Sequence, residues 1–196
     1  MVEEQLRRRD IHDPRVLAAF AEVPRHEFVT EGGPYDDGPL PIGFGQTISQ
    51  PYVVAITVQA LQLRGHERVL DVGTGSGYAA AILGKLCREV HGVERIEALA
   101  TAAAERLARL GFANVHVHHA DGSLGWPAAA PYDAIAVGAA ATVTPPALLA
   151  QLAIGGRLVL PRGTDAQRLV RITRTGETSF DEDDYGFVRF VPLIGS

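Results

Sequence analysis

The sequence predicts an α/β fold: a mainly parallel sheet with helices on both faces and an antiparallel C-terminal end. Three observations carry this. Helical and extended patterns alternate from residue 51 to about 161, as they do where parallel strands are joined by crossover helices. The run VLDVGTGSGY, Val69 to Tyr78, reads as a buried strand, a glycine turn and a helix start. Two extended runs then close the chain with no helix between them, which suits an antiparallel end to the sheet.

The elements follow in order. Short helices are expected near Val2–Arg9 and Pro14–Ala21, the second with Asp13 as its cap and Pro14 in its first turn. A loop-rich stretch runs on to Gln50. Pro51–Leu63 reads as a helix, followed by a strand to Val72, a helix to Leu86 and a strand over Glu89–Glu94. The Ala/Leu/Arg run from Ile96 to Leu110 is helical, and Asn114–His119 is extended. Tyr132–Val137 is a fourth strand, Pro145–Leu152 a helix and Gly156–Leu160 a fifth strand. Arg168–Thr173 and Tyr185–Pro192 are the closing strands, joined by the acidic turn DEDD. One domain is expected, with 1–50 as an N-terminal helical and loop segment, 51–161 as the core and 162–196 as the C-terminal strands.

Composition excludes several classes. A hydrophobic content of 46% with 21% charged residues is that of an ordinary globular protein. The formal net charge of −5 leaves no electrostatic footprint for nucleic acid, and Arg7, Arg8 and Arg9 are offset by Glu3, Glu4 and Asp10. The single cysteine, Cys87, forms no internal disulfide and reads as core filler. No signal peptide or membrane-spanning stretch is recognisable, so a cytoplasmic protein with no membrane partner is expected, and a monomer.

The glycine turn carries the chemistry. Gly73, Gly75 and Gly77 let the backbone approach a ligand closely. Dinucleotide sites space their glycines GxGxxG and set a pyrophosphate on the helix N-terminus. Here the pattern is GxGxG with Asp71 just before it, and that carboxylate would repel a pyrophosphate. It suits a cationic ligand such as S-adenosylmethionine, which carries an ammonium and a sulfonium. Glu94 ends the next strand, about 20 residues past the glycines, where an acid accepts hydrogen bonds from ribose hydroxyls. The alternative for Glu94 alone is a solvated strand-end carboxylate.

A second unusual segment is PLPIGFGQTISQPYVVA, Pro39 to Ala55. Gln46, Thr47, Ser49 and Gln50 concentrate hydrogen-bonding groups at a helix N-terminus, which favours a bound carboxylate. Ser49 as a plain helix cap is the competing reading. A cationic cofactor and an anionic acceptor on one chain suggest methyl transfer to a carboxylate. His116, His118 and His119 lack a nearby cysteine and alternate between strand faces, so no metal site is expected. Tyr35, Asp36 and Asp37 are expected to be structural or close to substrate. Trp126 should pack beneath the Pro127–Pro131 turn, and Arg25 with His26 should brace the N-terminal segment.

The chain resembles the protein-L-isoaspartate (D-aspartate) O-methyltransferase family over almost its whole length. The resemblance runs through VPRHEFV, YDDGPLPIGFGQTISQP, VLDVGTGSGY, ADG, PYDAIAVGAAA, LLAQLAIGGRLVLPRG and VRFVPL. It implies a Rossmann-like S-adenosylmethionine-dependent methyltransferase fold. The implied activity is methylation of the abnormal carboxyl of L-isoaspartyl residues in damaged proteins or peptides. The ester then closes to a succinimide and reopens partly to aspartate. The resemblance makes Ser49 the active-site serine and places Thr47 and Ile48 beside it over the cofactor. It assigns Asp71, Gly73, Thr74, Gly75 and Gly77 to the methionine side, Glu94 to the ribose, and Asp121 with Gly122 to the adenine. The family has glycine where this chain has Ala120. Val188 to Leu193, with Val188, Phe190 and Val191 in contact, would border the substrate peptide.

An isoaspartyl α-carboxylate is already ionised at neutral pH and needs no general base. The enzyme's task is alignment, and Ser49 would aim one carboxylate oxygen at the methyl group. Two other readings stay open: the same chemistry on another carboxylate, such as an aspartate in a modified peptide natural product, and a noncatalytic adenosyl-binding protein.

Overall fold

A computed structural model describes residues 1–195. Seven strands form one sheet in the order β5-β4-β3-β6-β7-β8-β9. They are β3 (Arg68–Val72), β4 (Glu89–Glu94), β5 (Val115–His119), β6 (Tyr132–Val137), β7 (Leu152–Arg162), β8 (Gln167–Arg174) and β9 (Phe180–Val188). From β5 to β7 all pairings are parallel; β7–β8 and β8–β9 are antiparallel. The sheet is therefore the one expected from the sequence.

The helices are α1 (Pro14–Glu22), α2 (Pro51–Ala60), α3 (Tyr78–Leu86), α4 (Glu97–Arg109) and the short α5 (Pro146–Gln151). Asp13 caps α1 by accepting from the Arg15 N–H, with Pro14 in the first turn. Residues from α1, α2, α3 and α4 bury one face of the sheet, with Phe20, Val58, Leu83 and Leu107 in a single cluster. Leu148 of α5, together with Leu70, Ile135 and Leu158, forms the opposite cluster, and Trp126 packs against it. The central strands are buried on both faces, as their unbroken apolar runs require.

The chain runs outward from β3 through β4 to β5, then returns to the other side of β3 to make β6. The strand order reverses between β3 and β6. In open α/β sheets the ligand crevice lies at that reversal, beyond the strands' carboxyl ends. Gly73 follows β3 there and Gly138 follows β6.

Several local readings change. The stretch before Gln50 is not all loop: β1 (Leu40–Gly43) and β2 (Gln46–Ile48) form an antiparallel hairpin. Its turn is made by Gly43, Phe44 and Gly45, all at positive φ. The four acids of DEDD lie inside β9, not in a turn, because each of three finds an arginine across the sheet: Glu182 with Arg162, Asp183 with Arg171 and Asp184 with Arg168. The last strand ends at Val188, and beyond it Pro192 makes a single bridge to Ala140. At the other end, Val2–Arg7 winds as a π-helix. Trp126 stacks on His118, ring centroids 4.1 Å apart, and packs against the core cluster that Ala129 and Ala130 also touch.

Gly77 shows how tightly α3 is seated. It has φ +90, and a Cβ there would lie 3.2 Å from Leu107 Cδ1. The substitution Gly77→Ala should lower the stability of the ligand-free protein by about 1–2 kcal/mol, the cost of a left-handed L-residue. A thermal melt of the two proteins checks this.

Candidate active site

The turn after β3 is tied to both neighbouring strands. Gly73 and Thr74 donate their N–H groups to Val93 O on β4, at 2.8 and 3.2 Å, and Gly138 N donates to Val72 O at 2.7 Å. A Cβ on Gly138 would lie 3.1 Å from Gly73 O, so glycine is needed on that side as well. Glu94 completes the clamp. One carboxylate oxygen accepts from Gly75 N and the other from Ile96 N, each at 2.9 Å.

Asp71 lies beneath this turn, 2% exposed. Its Oδ2 is buried with no hydrogen-bond partner. Burial pushes its carboxyl up to about 7; the Thr74 hydroxyl pulls the other way and Glu94 pushes it further up. A buried carboxyl with one unsatisfied oxygen, beside a turn whose three glycines take positive φ, fits a cationic group and opposes a pyrophosphate.

Two clefts open above the turn. A cleft of about 150 Å3 is walled by Thr47, Gly73, Gly75, Glu94, Gly122 and Val191, among others. A larger groove of about 630 Å3 contains Thr47, Ser49, Gln50, Val188, Phe190 and Val191. The two share Thr47, Gly138 and Val191. A ligand in each cleft would meet there.

Most of the residues singled out in the sequence gather here, though not all on a cleft wall. Ile48 is 4% exposed and belongs to the core cluster. Thr74 is buried and donates its hydroxyl to Asp71 O, and Gly77 packs against α4. Asp71 borders a small void of about 40 Å3 that it shares with Ser49, Thr57 and Phe190. Asp121 accepts from the Ser123 N–H and hydroxyl, shaping the short turn that presents Gly122. Ala120 stands outside the left-handed region, so the side chain there is accommodated without strain.

Ser49 is half-buried between β2 and α2, and among the described residues its hydroxyl makes no hydrogen bond within the protein. It does not cap α2, whose boundary residue is Gln50. Asp37 serves the helix start instead: its Oδ1 accepts from Tyr52 N at 3.3 Å, and its Oδ2 accepts from Gln50 Nε2 and Arg9 Nη1, both at 2.8 Å. Arg9 also lies 3.4 Å over the Tyr52 ring. Asp37 is thus structural, as one reading of the sequence had it. Gly138 and Gln167 had not been singled out as site residues. Gln167 receives the Phe190 N–H on its Oε1 at 2.6 Å and donates its Nε2 to Phe190 O at 3.1 Å.

The histidines pack among themselves. His91 Nδ1 lies 3.1 Å from His118 Nε2, and burial lowers the pKa of both rings. Among the described residues no group of three His, Cys, Asp or Glu side chains is arranged to hold a metal ion, and no helix is long and apolar enough to cross a membrane.

Asp71 gives a pH signature. Its folded pKa, about 7, lies above the unfolded value of 3.8. The folded state therefore holds the proton more tightly, and this group's contribution to stability is full below pH 3.8 and declines as pH rises to about 7. Asp71→Asn should consequently gain melting temperature relative to the wild type as pH goes from 5 to 8, without ligand. A gap that stays flat across that range would show that Asp71 does not titrate this way.

Comparisons with known proteins bear on the family and the fold. The family model for protein-L-isoaspartate(D-aspartate) O-methyltransferase matches residues 1–196. A protein-L-isoaspartate O-methyltransferase from Rhodopseudomonas palustris is 56% identical over 201 residues, covering 100% of this chain and 92% of its own length. One from Marinobacter nauticus is also 56% identical, over 100% and 91%. A Plasmodium falciparum structure described as a protein-L-isoaspartate O-methyltransferase in complex with S-adenosyl-L-homocysteine superposes with a TM-score of 0.83 at 30% identity, over 98% of this chain and 96% of that one. A further solved protein-L-isoaspartate O-methyltransferase gives 0.89 at 28% identity, over 100% and 66%. With the family model matched from end to end, this chain belongs to the protein-L-isoaspartate(D-aspartate) O-methyltransferase family.

Proposed function

We propose that this enzyme transfers a methyl group from S-adenosylmethionine to the free α-carboxylate of L-isoaspartyl residues in damaged proteins or peptides, starting their repair through a succinimide. The observation that carries the reading is the junction at Thr47, Gly138 and Val191, where the cleft above the glycine turn meets the groove holding Ser49. The whole chain acts as one methyltransferase domain, as a monomer in the cytoplasm and without a nucleic-acid partner.

Each residue then has a task. The unpartnered Asp71 oxygen faces the demand of a cationic ammonium. Glu94 spends one lone pair of each oxygen on the clamp and keeps one on each for ribose hydroxyls. Gly73 and Gly75 leave room for the methionine portion, held in place by buried Thr74 and Gly77 behind them. Gly122, presented by Asp121, lines the cleft and would border the adenine. Thr47 stands between the two ligands, with Ile48 anchoring it in the core. When bound, S-adenosylmethionine supplies a methyl group made electrophilic by its sulfonium charge.

Ser49 donates its hydroxyl to the substrate carboxylate and orients one oxygen. Val188, Phe190 and Val191 form the wall along which the peptide lies. The isoaspartyl carboxylate sits directly on Cα, whereas that of a normal aspartyl residue stands one methylene farther out. A main chain fixed along this wall brings the first oxygen into line and misplaces the second.

The decisive measurement is methyl transfer to an isoaspartyl peptide and to its aspartyl twin. The expected preference is about a hundredfold or more, the cost of a misplacement of about 1 Å. Comparable rates on both would point to a broader carboxyl methyltransferase. Transfer to neither would leave a dedicated peptide substrate or a noncatalytic adenosyl-binding protein.

Ser49→Ala separates positioning from capping. Turnover should fall at least about tenfold, the order expected for losing a hydrogen bond to a charged group. The melting temperature and cofactor affinity should stay near wild type, because Asp37 serves the helix start. A variant with full turnover would remove Ser49 from the mechanism.

A further inference from the structure

The acceptor groove has an electrostatic sign opposite to that of the chain. The protein's formal net charge is −5, yet among the described residues the charged side chains lining the groove are two arginines, Arg9 and Arg189, and no carboxylate. The two are not equivalent. Arg9 is neutralised by Asp37 at 2.8 Å and spread over the Tyr52 ring. Arg189 is exposed, and among the described residues its guanidinium has no ion pair or hydrogen bond. Among the described residues it is the one charge lining the groove without a counter-charge.

Its place along the chain says what it could reach. Phe190 borders the small void beside Ser49 and Asp71. Its backbone N–H and C=O are both held by Gln167, which fixes the chain in this stretch. Arg189, one residue before it, lines the groove and is exposed, which puts its guanidinium at the solvent-facing rim. A rim charge does not meet the reacting carboxylate; it meets the side chain next to it in the bound peptide.

We propose that Arg189 is a specificity-determining residue that selects isoaspartyl peptides carrying an acidic side chain beside the isoaspartyl residue and disfavours those carrying lysine or arginine there. This rests on the reading of the groove as the peptide site. The interaction is a solvent-exposed ion pair, so the selection is modest, sensitive to salt and expressed in binding more than in turnover.

The test uses isoaspartyl pentapeptides in which each flanking position in turn is Glu, Gln or Lys. For each enzyme the readout is the ratio of kcat/KM for the Glu peptide to that for the Lys peptide, which is independent of how much of a preparation is active. The wild type should favour Glu about fivefold at one flanking position at low ionic strength, mostly through KM, consistent with an exposed pair. Arg189→Lys should keep the preference, Arg189→Glu should invert it, and high salt should erase it. An unchanged ratio in Arg189→Glu at every position would overturn the assignment while leaving isoaspartyl methylation intact. If the wild type methylates no isoaspartyl peptide, the proposed function falls, and this inference falls with it.

Discussion

The active-site architecture depends on one backbone arrangement: the chain leaving β3 is hydrogen-bonded to the ends of two neighbouring strands at once. Val93 O receives two N–H groups of the glycine turn, and Val72 O receives that of Gly138. Side chains are excluded from this region by contact, since a Cβ on Gly92 would lie 2.6 Å from Thr74 Oγ1 and one on Gly122 would lie 2.7 Å from Val72 Cγ1. With the backbone packed this closely, the strand ends offer a floor of main chain. The ligand-facing chemistry is left to the few side chains at its margin.

Among those, the two acids do different work. Glu94 is saturated enough by backbone donors to remain a fixed part of the clamp, tying the glycine turn to the start of α4. Asp71 keeps an oxygen without a partner in a site that burial makes hostile to charge. A cationic group placed beside it would relieve that cost by supplying the missing opposite charge. Folding therefore leaves an electrostatic deficit that a bound cation would make good.

Much of this was legible in the sequence because the signals were local. The strand–turn–helix at Val69–Tyr78 and the alternation behind it are short-range patterns, and the sheet reproduces them. The β1–β2 hairpin was not legible: its strands are four and three residues long, and its turn places Phe44 in a left-handed conformation that sequence rarely announces. The acids of β9 looked like a turn because their arginine partners lie on other strands, between 12 and 20 residues away. Asp37 serves a helix that begins beyond its own loop, and Gln167 reaches a residue 23 positions later. Contacts made across such distances leave no periodic trace. Ser49 stood out by residue type and setting; its lack of an internal partner is visible only in three dimensions.

Strand β9 closes the sheet at one side, and its outer edge would be free to pair with a strand from another molecule. Such edges invite end-on assembly into larger sheets. Here Asp181, Glu182, Asp183 and Asp184 stand in succession along it, all exposed, and Gly186 at φ +96 breaks the regular strand geometry near its end. Two copies approaching edge to edge would set one row of carboxylates against another. The acids that tie the sheet together through their arginines would then also oppose pairing along its outer edge.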